Sequence, residues 1–113
     1  MVIVQINYRR PDMPKAQWDA RYSAETAAPF VALRGLEWKI WLDDPTDAQR
    51  SGGIYLFADR AAAQAYVDGP IVARMKANTA LSDLQIRLFD VRQNMSELTR
   101  APLPALASLD AAQ

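Results

Sequence analysis

The stretch "LEWKIW", residues 36–41, decides the fold. It alternates as a β-strand does, and successive side chains of a strand point to opposite faces. Strict alternation puts Leu36, Trp38 and Ile40 on one face and Glu37, Lys39 and Trp41 on the other. A large aromatic on each side of one strand demands cover on both sides.

Working outward, the strand runs from Gly35 to Asp43 and is followed by the polar loop "DDPTDAQRSGG". Ile54–Ala58, "IYLFA", is the next strand and is apolar on both faces, with Ile54 and Leu56 against Tyr55 and Phe57. Upstream, "VIVQINY" (Val2 to Tyr8) is β-branched and places Val2, Val4, Ile6 and Tyr8 on one face. Between these strands, alanines at 16, 20, 24, 27 and 28 follow helical spacing over Lys15–Ala28. Trp18 and Tyr22 form a neighbouring stripe four residues apart. Pro29 ends or kinks this helix, a further turn reaches Leu33, and Gly35 is the stop.

Downstream, Asp59 caps a helix over "RAAAQAYVDG" that Gly69 closes. Pro70 opens another short helix through "PIVARMKANTA". Leu84–Val91, "LQIRLFDV", alternates as the fourth strand. Asn94 followed by Glu97 matches a capping box and predicts a helical turn over "NMSELT". Residues 1–100 therefore read as one domain, and the Pro- and Ala-rich residues 101–113 as an arm or tail.

The order β-α-β-β-α-β is that of a ferredoxin-like α+β domain: a four-stranded antiparallel sheet with helices on one face. Such a sheet, apolar on both sides, expects a partner over its open face. The economical partner is a second copy, so the expectation is a homodimer built face to face. Trp38 then lies under the helices, and Trp41 and Phe57 lie in the dimer interface. A β-bulge between Trp38 and Trp41 would place both on one side.

Composition narrows the chemistry. Lys plus Arg and Asp plus Glu both number 13, so no net field draws nucleic acid or an acidic membrane. No apolar run approaches the roughly 18 residues of a membrane span. The opening has no signal-peptide pattern, and the expected location is the cytoplasm. The chain has no Cys and no His. Thiolate and imidazole ligands, and the nucleophilic arrangements built on them, are thereby removed. "DDPTD" (Asp43–Asp47) is the one acid cluster and reads as a solvated turn, so no metal site and no cofactor are expected. Chemistry must run on Asp, Glu, Lys, Tyr, Arg or amides, or be supplied by the substrate.

"GLEWKIWLDD", "SGGIYLFAD" and "LFDVRQNMSEL" together resemble the YdhR-like monooxygenase family, of the dimeric α+β barrel superfamily. The resemblance runs from about Gly35 to Leu98 and is weaker before it. Trp38, Lys39, Trp41, Gly52, Gly53, Tyr55 and Phe57 carry the shared motif. The resemblance implies a dimer whose sheets form a barrel, and kinship with enzymes that oxygenate aromatic, polyketide-like compounds without metal or flavin.

An electron-rich phenol or dienol, once deprotonated, can itself reduce O2. The protein need only bind it dry, favour the anion and exclude water. The expected site is a pocket between the first helix and the sheet, walled by Trp18, Tyr22, Trp38 and Tyr55. Asn7, Lys39 and Arg87 are its polar contacts, and Tyr55, Lys39 and Asn7 are the candidate catalytic groups. Each also has a plainer role open to it, in core, interface or surface pairing. Two other functions share the scaffold: a dimer that binds a small hydrophobic or aromatic molecule without turnover, and a polyketide-type cyclase or isomerase.

Overall fold

The computed structural model describes residues 1–104 of the 113. It contains β1 (Val2–Arg9), α1 (Lys15–Asp19), α2 (Ala24–Val31), β2 (Leu36–Asp43), β3 (Arg50–Phe57), α3 (Arg60–Val67), α4 (Pro70–Ala77), β4 (Ser82–Asp90) and α5 (Gln93–Leu98). The strands form one antiparallel sheet in the order β2-β3-β1-β4, the ferredoxin-like arrangement read from the sequence. No described helix is long and apolar enough to cross a membrane. Most of the expected tail, residues 105–113, lies outside the described residues.

The core forms where the apolar side of the sheet meets the helices. Val2, Val4 and Ile6 of β1 and Tyr55 and Phe57 of β3 pack with Ala63, Tyr66 and Val72 of α3 and α4. Asp59 caps α3 as expected, accepting from the Ala62 amide at 2.8 Å.

Two expectations for local structure are corrected. The first predicted helix is broken into α1 and α2. Ser23 is extended at the break, and its hydroxyl accepts from the Thr26 amide to start α2. Local side-chain-to-backbone bonding of this kind competes with helix continuation. Pro29 sits inside α2, which still runs on to Val31. The capping box at Asn94 does not form: α5 begins at Gln93, its N-cap is Arg92, two residues before Asn94, and no side chain caps it.

The decisive correction lies in β2. Leu36 pairs with Phe57, but Trp38 pairs with Leu56, so Glu37 is an extra residue. A bulge of one residue turns every following side chain to the other face. Leu36 therefore stays on the helix side with Phe57, and Lys39 and Trp41 join it, opposite Tyr55 and Gly53. Trp38, Ile40 and Leu42 pass to the open face. The bulge precedes Trp38 rather than separating the two tryptophans, so they remain on opposite sides with their expected places exchanged.

The entry to β2 is fixed by Gly35, at φ +78°, whose carbonyl accepts from the Ala58 amide at 2.8 Å. A Cβ there would stand 2.5 Å from Cβ of Ala62. Gly35→Ala should thus combine a left-handed backbone penalty with overpacking against α3, about 2–4 kcal/mol together. Urea unfolding of the variant should show this loss with an unchanged fold by circular dichroism.

Candidate functional site

A cavity of about 450 Å³ lies between the sheet and α1, α2 and α4. Its wall is a chain of aromatic side chains, edge to face from Tyr8 to Phe30 and tilted between Phe30 and Tyr55. Tyr8 meets Trp18 at 6.5 Å between ring centroids, Trp18 meets Tyr22 at 6.1 Å, and Tyr22 meets Trp41 at 5.6 Å. Trp41 meets Phe30 at 5.3 Å, and Phe30 approaches Tyr55 at 6.1 Å. Such pairs add of order 1 kcal/mol each beyond the area they bury. Ile71 and Met75 of α4 close the opposite wall.

The break between α1 and α2 positions the first part of this wall. Trp18 and Tyr22 are no longer on one helix, yet the turn brings them together, with Trp18 Nε1 donating to Tyr22 Oη at 3.0 Å. Trp18 is buried, flanked by the guanidinium groups of Arg10 at 5.6 Å and Arg21 at 5.3 Å. Arg10 is itself buried, and its Nε donates to the Ala48 carbonyl at 2.6 Å.

Lys39 is the charged centre of the cavity. Its Nζ lies 3.3 Å from the ring centroid of Trp41, 3.5 Å from that of Phe30 and 4.7 Å from that of Tyr55. Among the described residues no carboxylate pairs with it. Burial brings its pKa down to about 7. The ring faces favour the ammonium while desolvation favours the free amine, and desolvation prevails. Gly53 gives the stem room: a Cβ there would meet Cε of Lys39 at 3.1 Å, a tight contact.

The tyrosines are shifted the other way. Burial pushes the hydroxyls of Tyr8, Tyr55 and Tyr66 above the ordinary phenol range, so they remain neutral. Tyr66 packs on Tyr55 at 5.0 Å, and its buried Oη has no hydrogen-bond partner among the described residues.

The site expected from sequence is thus partly assembled. Trp18, Tyr22, Tyr55 and Lys39 come together in one cavity between helix and sheet. Trp38 does not: it stands on the open face, where Nε1 donates to the Pro102 carbonyl at 2.7 Å. Asn7 and Arg87 also lie on the open face, paired in register with Gly52 and Gln85, and with Gln5, respectively. Val2, Val4 and Ile6 fill the helix side of β1, so odd-numbered positions of that strand must face away. Trp41 and Phe57, expected in a dimer interface, are on the helix side. Trp41 lines the cavity, and Phe57 is fully buried in the core.

Phe30, Trp41, Ile71 and Met75 were the missed contributors. Ile71 and Met75 are four apart on α4, a spacing that marked a shared face. Trp41 was hidden by the bulge. The "DDPTD" cluster is spent on its own turn: Asp44 Oδ1 accepts from Thr46, and Asp47 pairs with Arg9 at 2.6 Å.

A ferredoxin-like α+β domain with an aromatic cavity beneath its helices is the class of protein that fold and site define. The family model described as "Putative mono-oxygenase ydhR" matches residues 3–102, and the chain belongs to that family. No curated protein matches its sequence. Among solved structures, a protein of unknown function from Nitrosomonas europaea is 23% identical. Its TM-score is 0.65, with 92% of this chain and 94% of that chain covered. A "putative antibiotic biosynthesis monooxygenase" from Deinococcus radiodurans is 14% identical, with TM-score 0.66 and coverage of 82% and 94%. SnoaB, a cofactor-independent oxygenase from Streptomyces nogalater, is 22% identical, with TM-score 0.59 and coverage of 81% and 94%. At these identities the likeness shows a shared fold.

A lysine whose pKa falls on folding costs stability. Below about pH 7 it is protonated in both states, and the full cost of burying the charge is present. From pH 7 to 10.5 the unfolded chain holds the extra proton, so stability from this group rises with pH. Lys39→Met should therefore raise the melting temperature by a few degrees at pH 6, on the order of 1 kcal/mol after discounting for partial exposure, and by much less at pH 10. Thermal unfolding at the two pH values checks this.

Proposed function

We propose that the protein is a cofactor-independent monooxygenase acting on a small aromatic, quinol- or polyketide-like compound. The observation that carries this reading is the amine of Lys39, unpaired by any described carboxylate and enclosed by Phe30, Trp41 and Tyr55 at the wall of the cavity. Family membership and the fold shared with SnoaB support it.

In the proposed reaction the substrate's ring lies among the aromatic walls with its acidic O–H or C–H toward Lys39. The neutral amine takes that proton, and a general base is most effective when its pKa lies near the working pH. The new ammonium then holds the substrate anion in a poorly hydrated site, where attraction between close charges is strong. The anion gives one electron to O2. The radical pair joins as a hydroperoxide on the ring carbon, and loss of water leaves a carbonyl. One oxygen atom goes to product and one to water, so a ring CH2 becomes C=O without a further reductant. Tyr55, kept protonated by burial, is the neutral donor beside the reacting centre.

The test is oxygen uptake with an anthrone or a dihydroxynaphthalene. Turnover by the unmodified protein, with kcat/KM rising with pH through about 7, is expected. Lys39→Met should lose about 10²-fold or more and the rising limb with it. Tight binding with no oxygen consumption would instead leave a ligand-binding protein, and ring closure without oxygen would indicate a cyclase or isomerase.

We propose further that two copies pack through their open faces. Trp38, Ile40, Leu42, Ile54, Leu56 and Phe89 make that face apolar, and Ile40 and Phe89 are 47% and 46% exposed on a single chain. Sedimentation should give twice the 12.6 kDa chain mass, and Ile40→Asp should shift the species to monomer. A monomer in the unmodified protein at micromolar concentration would overturn the pairing.

A further inference from the structure

Enzymes meet a buried, unpaired lysine with two chemistries: proton transfer, and attack of the nitrogen on a carbonyl carbon. The second makes three structural demands. The amine must not be tied to a carboxylate, the space beside it must accept the carbonyl compound, and water must be scarce enough for an imine to persist.

Lys39 meets all three. No described carboxylate reaches Nζ, whereas Lys15 is exposed and bonded to Asp19 at 2.7 Å. The cavity of about 450 Å³ opens at the amine, large enough for a fused aromatic ring system. Phe30, Trp41 and Tyr55 present their rings to Nζ at 3.5, 3.3 and 4.7 Å from the centroids, which limits the room for water beside it. The lysine stem passes close over Gly53, where a Cβ would stand 3.1 Å from Cε.

We infer that Lys39 captures aromatic aldehydes or ketones as a covalent imine within this cavity. The lone pair of Nζ attacks the carbonyl carbon. The C–O π electrons pass to oxygen, which takes a proton released from nitrogen, giving a carbinolamine. The hydroxyl then leaves as water with the second nitrogen proton, and the C=N double bond forms. Nothing is oxidised or reduced: amine and carbonyl become imine and water. A carbonyl ligand placed against Lys39 by the aromatic wall reacts there; Lys15 is exposed and held by Asp19, and Lys76 is an exposed residue at the rim of an open aliphatic groove with no aromatic ring in its lining. The lowering of the Lys39 pKa by burial supports this, because a large share of the amine is unprotonated at neutral pH. The inference rests on the same cavity and amine as the proposed oxygenase, but not on any reaction with oxygen.

The chain has only three lysines, at 15, 39 and 76, which makes the test direct. The unmodified protein is treated anaerobically at pH 7 with stoichiometric 2-naphthaldehyde and cyanoborohydride, and the adducts are mapped by peptide mass spectrometry. Lys39 should be labelled at least tenfold faster than Lys15, Lys76 or the amino terminus, and Lys39→Arg should abolish the fast adduct. Equal or slower labelling at Lys39 would overturn the inference, whether or not the variant folds. Labelling of Lys39 by acetaldehyde as fast as by naphthaldehyde would overturn its aromatic selectivity. Naphthaldehyde labelling that stands without oxygen uptake in the other assay would sink the oxygenase reading alone.

Discussion

The site depends on one extra residue. Glu37 interrupts the pairing of β2 with β3, and the strand beyond it is turned over. Without that bulge Lys39 and Trp41 would face away from the helices, and Trp38 and Ile40 would fill the space beneath them. The cavity would lose its amine and gain bulk. The hydrogen-bonding pattern of a strand edge therefore sets the chemistry of the interior, because β-geometry allows only two directions for a side chain.

What the bulge assembles is a site in which charge on Lys39 or on the buried tyrosines Tyr8 and Tyr55 is costly. Desolvation lowers Lys39 and raises Tyr8 and Tyr55, so these three groups approach pH 7 neutral or nearly so. A proton moved from a bound ligand to Lys39 would create two charges at once, each stabilised chiefly by the other. That is a strong selection on geometry: only a ligand whose acidic group sits against the amine gains from ionising.

The fold was legible because its signals are local. The spacing of the strands, Asp59 as a cap, Gly69 as a stop and Pro70 as a start all act over a few residues, and each lies where it was read, whereas Gly35, read as the helix stop, stands at the entry to β2, past the end of α2 at Val31. The break at Ser23 was present as a serine followed three residues later by Thr26, but the alanine spacing outweighed it. The site was less legible for a specific reason. Trp18, Tyr22 and Tyr55 were placed by helix and strand patterns, whereas Trp38 and Trp41 were exchanged by a bulge that leaves no residue signature: Glu37 is an ordinary strand-edge residue. Asn7 and Arg87 were chosen by residue type, and type does not report which face of a strand a side chain takes. Phe30 follows Pro29, which was read as an end or a kink with one further turn, and no side chain of that turn was assigned to the pocket.

Arg9 and Arg10 have a consequence for traffic. Arg9 holds Asp47 and Gln49, and Arg10 holds the Ala48 carbonyl, so the connection between β2 and β3 is fastened to the end of β1. A segment anchored at three successive residues is poorly suited to swing as a gate. The exposed members of the cavity lining lie elsewhere: Arg21 and Tyr22 at the joint of α1 and α2, Trp41 on β2, and Asn78 and Ala80 after α4. The cavity therefore meets solvent along the two short joints and the edge strand, on the side away from the fastened connection.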